Sequence, residues 1–212
     1  MSTCWGFGAD DVETAIATFR EIADIVADDA IEFDTSSIQG SVIRKEAGYG
    51  GVRIDIKGKL DGARISLQVD IGFGDTVTPG PQSISYPVIL KDFPAPQLRA
   101  YPKCTVIAEK YHAICVLGLA NTRMKDYFDL WVLLGEDTIN PSELRDAIEA
   151  TFKRRGMALP ISMPTGLSNS FTDNSAKRAQ WAAFLKKNGL DSLPLASAVE
   201  RIKTGILRVN LQ

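Results

Sequence analysis

"GYGGVRIDIKGKLDGARISLQVDIGFGD", residues 48–75, decides how the chain is read. Val52, Ile54 and Ile56 alternate with polar residues, and so do Ile65, Leu67, Val69 and Ile71. Period-two alternation predicts two strands, each with one face against a core. Asp61-Gly62 between them is a tight-turn signal, because both central positions of such a turn need a positive φ. The stretch therefore predicts an antiparallel hairpin. Within it, Asp70 interrupts an otherwise strand-like run, and burying an unpaired carboxylate is costly. Either Asp70 serves a bound metal ion, or it lies solvated at the strand's end or caps the next turn. Hard divalent cations take carboxylate oxygens together with substrate phosphates. Two such ions can clamp both oxygens of an in-line phosphoryl displacement. Ile54-Asp55-Ile56 has the same form on the partner strand, so the triplet alone is a weak signal.

Before the hairpin, Val12, Ile16, Phe19, Ala23 and Val26 recur at helical spacing and predict a helix over residues 11–27. Asp10 reads as its N-cap, with Glu13 completing a capping box. Short strands are predicted at Ile31–Phe33 and Ile38–Arg44. After the hairpin, residues 72–104 carry six prolines and read as loop, with one edge strand in "SYPVIL", residues 85–90. From there the pattern is helical, with helices predicted over 105–119, 123–134, 141–154, 174–187 and 195–208. Asn140-Pro141-Ser142-Glu143 is a strong start signal, with Asn as N-cap and Pro in the first turn. Strands followed by helices give an α+β class. The division falls near residue 100: a mixed half over 1–100 and an all-helical half over 101–212.

The composition, 45% hydrophobic and 24% charged over 212 residues, is that of a globular protein able to build a real core. No apolar run approaches the about 20 residues a membrane helix needs, so no membrane partner is expected. Cys4, Cys104 and Cys115 are odd in number and lack CxxC spacing, which argues against a disulfide framework or zinc site. With no secretory signal at the start, the expected location is cytoplasmic. The net charge of −2 hides an imbalance: residues 1–100 hold 9 basic against 15 acidic side chains, and residues 101–212 hold 15 against 11. A metal-binding part beside a phosphate-binding part would produce this, and so would ordinary solvated helix faces.

The densest chemistry lies in "VIAEKYHAICVLGLANTRMKDYFDLWVLL", residues 106–134. Glu109 and Lys110 sit on one predicted helix; Arg123, Lys125, Asp126 and Asp129 crowd the start of the next. Lysine is a compact point charge suited to a triphosphate. An adjacent aspartate can orient it or take a proton from an attacking hydroxyl. The plain alternative is a surface helix pair with ion pairs such as Lys125–Asp129 at i,i+4. His112, the only histidine, leaves little room for a histidine-based triad and reads as a helix-surface residue. Lys153-Arg154-Arg155 complements a helix C-terminus. Trp181 and Phe184 read as helix core.

"LQVDIGFGD", "AEKYHAICVLGLANTRMKDYFDLW", "AIEATFKRRG" and "RAQWAAFL" resemble the AbiEii/AbiGii nucleotidyltransferase toxins of type IV toxin–antitoxin (abortive infection) systems. The "EK…RMKDYFDL" stretch is the most specific part, and the resemblance runs over nearly the whole chain. It implies a nucleotidyltransferase-like palm, a mixed sheet with helices, followed by a helical region. It implies transfer of a nucleotide from an NTP with Mg²⁺ or Mn²⁺, an RNA acceptor such as tRNA, and a cognate antitoxin protein. By resemblance, Asp70 matches a metal-binding carboxylate of the palm, Lys110 the triphosphate lysine, and Asp126 the active-site aspartate. Arg123 and Lys125 join Lys110 at the nucleotide, and Glu109 and Asp129 match positions around these. Asp55, on the neighbouring strand, is the candidate substitute carboxylate, provided that its side chain faces the same way as that of Asp70.

In the family pattern a Gly-Ser turn and an Asp-x-Asp strand precede the first long helix. Here "MSTCWGFGA" precedes it, with neither motif and no room for the helix and strand that carry them. The resemblance thus implies an N-terminally incomplete palm and leaves it open whether this chain is an active enzyme. It also implies an open sheet edge beside Asp70, which a homodimer or a bound partner would cover. Two rivals stand beside the enzyme reading: a non-catalytic remnant that binds protein or RNA, and a plain RNA-binding protein using the basic half.

Overall fold

The computed structural model describes residues 2–6, 11–44, 50–74, 76–90, 92–136 and 138–209. The chain is α+β and forms two compact units, residues 1–75 and 76–212. No helix among the described residues is long and apolar enough to cross a membrane.

In the first unit, β1 (Ser2–Gly6), β2 (Ile31–Arg44), β3 (Gly50–Leu60) and β4 (Ala63–Phe73) form one sheet in the order β1-β4-β3-β2. The predicted hairpin is β3 and β4, with Asp61 and Gly62 at φ 46° and 83° in the turn. Val52, Ile54, Ile56, Val69 and Ile71 are buried on one face of the sheet, under α1 (Val12–Ala23). Gly40 on β2 is what lets α1 come so close. A Cβ there would lie 2.6 Å from Val12 Cγ1 and 3.0 Å from Ile16 Cγ1.

Three expectations are corrected in this unit. The helix cap is Asp11, whose carboxylate accepts from Thr14 N–H at 2.7 Å, one residue later than predicted; Asp10 lies outside the described residues. The two short strands before the hairpin are one strand, β2, whose register against β3 shifts between Asp34 and Gln39. The bulge breaks the alternation that a continuous strand would show, so the sequence reads as two pieces. Most consequentially, the segment before α1 does hold a strand. β1 runs parallel to β4, with Ser2 opposite Val69 and Gly6 opposite Phe73. The edge beside Asp70 is therefore paired, and the reason to expect a homodimer through it falls away.

In the second unit, β5 (Gln82–Ser85) pairs antiparallel with β6 (Gln97–Ala100). Of "SYPVIL" only Ser85 is strand, because Pro87 has no N–H to continue the ladder. The segment from Thr76 goes with the helices, and one link is visible: Thr105 Oγ accepts from Thr78 N–H at 3.2 Å and donates to its carbonyl at 2.8 Å. The helices are α2 (Lys103–Leu117), α3 (Met124–Leu133), α4 (Pro141–Arg154), α5 (Asn169–Thr172), α6 (Ser175–Lys187) and α7 (Leu195–Leu207). Among them α5 was not predicted; its four residues are too few to show a helical period.

The α4 cap forms as the sequence predicts, with Asn140 Oδ1 accepting from Ser142 and Glu143 N–H. Around α2, buried positions span half the helix circumference, from Cys104 and Thr105 to His112 and Ile114. For that reason His112 is buried, 4% exposed, and not the surface residue expected. Its ring meets Phe152 edge-on at 5.0 Å. By contrast α3 buries only the stripe Met124, Tyr127 and Leu130, which leaves its charged residues on the other face.

Candidate functional site

In the first unit, the hairpin ladder places Arg53 directly opposite Asp70 and Asp55 opposite Gln68. Directly opposed residues in an antiparallel pair point to the same face. All four side chains thus share the face away from α1. Arg53 grips Asp70 with two parallel bonds, Nε to Oδ1 at 2.7 Å and Nη2 to Oδ2 at 2.9 Å. With its amide oriented to satisfy both ends, Gln68 Oε1 also accepts from Arg53 Nε at 2.9 Å. The hydrogen bond to Asp70 pushes the Arg53 pKa up, and the charge of Asp55 adds to it. Asp70 therefore meets an arginine, the partner the sequence had not singled out.

A divalent metal ion does not fit this arrangement. Such ions take carboxylate oxygens that are free to turn towards them. Here both oxygens of Asp70 are taken by the guanidinium fork. Among the described residues no three Asp, Glu, His or Cys side chains gather into a metal site.

In the second unit, α2 and α3 bring four predicted residues together. Lys110 Nζ donates to Asp126 Oδ1 at 2.6 Å and pairs with Asp129 Oδ2 at 2.9 Å. Lys125 Nζ reaches the same Asp129 oxygen at 2.6 Å. Asp126 and Asp129 are three residues apart, so one turn of α3 presents both to Lys110. Lys110 is largely buried, with its side chain 19% exposed, whereas that of Lys125 is 72% exposed. Desolvation pulls the Lys110 pKa down, but the hydrogen bonds to Asp126 and then Asp129 outweigh it, and the net shift is upward. Lys110 is a cation held ready at neutral pH.

Arg123 is exposed at the amino end of α3, whose first N–H groups receive no side-chain cap. Such an end attracts anions. Glu109 is half-buried on α2, about 100° around the helix from Lys110. Asp70 and Asp55 belong to the other unit.

Sequence reasoning missed Arg53, although a signal existed. A turn at Asp61-Gly62 pairs Leu60 with Ala63, and counting outward pairs 53 with 70. It also missed Lys177 on α6. This lysine is 7% exposed and donates to Asn121 O at 2.8 Å, which fixes the turn leading into α3. Nothing local in the sequence marks that long-range bond.

A family model described as nucleotidyl transferase AbiEii toxin, type IV toxin–antitoxin system, matches residues 3–202. No curated protein matches the chain. The match spans nearly all of both units, including Asp70 and the Lys110–Asp126–Asp129 cluster, and on it the chain belongs to the AbiEii family of nucleotidyltransferase toxins.

Proposed function

We propose that the protein binds a nucleoside triphosphate at the amino end of α3 and transfers its nucleotide to an RNA acceptor, a tRNA in the first instance. The observation that carries this reading is the held cation: Lys110, gripped by Asp126 and Asp129, beside Lys125 and Arg123 at a helix end with no side-chain cap. In the transfer, an RNA hydroxyl oxygen attacks the α-phosphorus and the bond to the β-phosphate breaks. Pyrophosphate leaves, and the hydroxyl proton passes to a carboxylate, for which Asp126 is the candidate. Arg123, Lys125 and Lys110 offset the charge of the triphosphate. Family membership carries with it an antitoxin partner and an NTP substrate. We place the reaction in the cytoplasm, where its RNA acceptor lies. Mg²⁺ or Mn²⁺ is the family's expected ion, but no step here rests on one.

One observation favours a second reading, a binding module without catalysis: both oxygens of Asp70 are committed to Arg53. A transfer assay separates the two. Each α-labelled NTP is incubated with total tRNA and the protein, with Mg²⁺ or Mn²⁺. Label appearing in tRNA with the wild type and lost with Asp126→Asn supports transfer. Nucleotide binding with no label in tRNA, with either ion, leaves the binding module.

A further inference from the structure

The amino end of α3 does not stand alone. An open groove of about 630 Å³ runs between it and the second half of α6. That volume lies within the about 300–1,000 Å³ of ordinary small-molecule sites. Arg123, Lys125 and Asp126 line one wall; Gln180, Phe184 and Lys187 line the other. The α6 residues recur at i, i+4 and i+7, so they form one face of that helix.

The charges in the groove are not balanced from within. Asp126 is bonded to Lys110, and Lys125 to Asp129. Arg123 and Lys187 have no carboxylate partner among the described residues. Two cations without a carboxylate partner among the described residues therefore border one groove, from helices more than 40 residues apart in sequence. Phe184 adds an apolar surface, supported by Phe128 at 5.9 Å and Trp181 at 5.8 Å.

The two walls are also fixed relative to each other. Lys177, one turn before Gln180 on α6, donates to the carbonyl of Asn121, and Asn121 Oδ1 accepts from Arg123 N–H at 2.8 Å. Asn121 is fully buried at this junction, and its Nδ2 has no hydrogen-bond partner among the described residues. A groove built this way loses little freedom when a ligand enters.

We propose that α6 is the second wall of the nucleotide site, with Lys187 and Arg123 holding the triphosphate from opposite sides and Phe184 backing the nucleoside. The proposal rests on the nucleotide-binding reading above. It requires that a residue far from the Lys110 cluster in sequence contribute to phosphate affinity.

The test is calorimetric titration of inorganic triphosphate, of each NTP and of tRNA into the full chain and into Lys187→Ala and Lys187→Glu. Lys186→Glu is the control, since Lys186 is exposed, adjacent on α6 and outside the groove. Losing a charged hydrogen bond should weaken triphosphate binding in Lys187→Ala about tenfold or more. Lys187→Glu should weaken it further, and Lys186→Glu should stay close to wild type. Wild-type binding that persists unchanged in Lys187→Ala overturns the α6 wall and leaves the nucleotide reading standing. Unchanged nucleotide binding with weakened tRNA binding also overturns it, and gives the groove to the RNA strand. If the wild type binds neither triphosphate nor any NTP, the nucleotide reading itself fails.

Discussion

Arg53 on β3 and Asp70 on β4 face each other across the hairpin ladder and close a two-pronged ion pair, 2.7 and 2.9 Å long. The carboxylate that breaks the apolar pattern of β4 is thus paired with a guanidinium, and Asp55 faces the same way two residues along β3. Arg53→Ala strips Asp70 of this partner and should lower the melting temperature of the chain. Arg53→Lys should recover only part of the loss, because an ammonium cannot form the fork. Thermal melts of the two variants check this. Equal melting of wild type and Arg53→Ala would show that the pair contributes nothing to the fold.

The α2–α3 network predicts a cost for removing its centre. Lys110→Met leaves Asp126 and Asp129 close together, with only Lys125 among the described residues paired to offset them. Breaking charge-assisted bonds at so little exposure should cost about 1–3 kcal/mol, read from denaturant unfolding. The pH dependence has a defined sign. Because the Lys110 pKa is raised on folding, its contribution is intact below the ordinary lysine value of 10.5 and is lost only as pH rises through the folded value. Stability near neutral pH should therefore not depend on Lys110 titration.

His112 supplies a pH effect in the opposite range. Burial, reinforced by Arg155, pushes its pKa from 6.5 down to about 4. The folded chain then binds fewer protons than the unfolded one between these values, so stability rises with pH across that window. As pH falls from 6.5 towards about 4 the loss should reach up to about 3 kcal/mol. His112→Phe keeps an aromatic ring against Phe152 and should flatten the profile. An unchanged slope between pH 4 and 6.5 in that variant would count against a buried, neutral histidine.

Gly40 marks where α1 meets the sheet. An alanine Cβ at this position would lie 2.6 Å from Val12 Cγ1 and 3.0 Å from Ile16 Cγ1. Val12 is β-branched and has little rotamer freedom in a helix. Gly40→Ala should therefore destabilise the chain by about 1–3 kcal/mol, the usual cost of overpacking. A melting temperature equal to the wild type's would mean that the helix moves away without penalty.

Much of this architecture can be read from local signals. The β3–β4 hairpin follows from alternation and Asp61-Gly62, and α4 from its Asn-Pro-Ser-Glu start. The Lys110–Asp126–Asp129 cluster is legible because α2 and α3 lie close enough in sequence to meet through one short turn. What escapes is long-range. β1 pairs with a strand more than 60 residues away. The buried Lys177 and His112 depend on packing that no local pattern encodes. Arg53 was within reach, since the hairpin register alone places it against Asp70.

On the proposed function, the amino end of α3 receives a triphosphate. Calorimetric titration of each NTP into the wild type and into Arg123→Ala tests it most directly. Arg123 is exposed, so its loss should leave the fold intact and a matching thermal melt will verify that. Saturable binding to the wild type, weakened about tenfold or more in Arg123→Ala, is the expected result. Equal affinity in the two proteins, or no binding to the wild type, would contradict it.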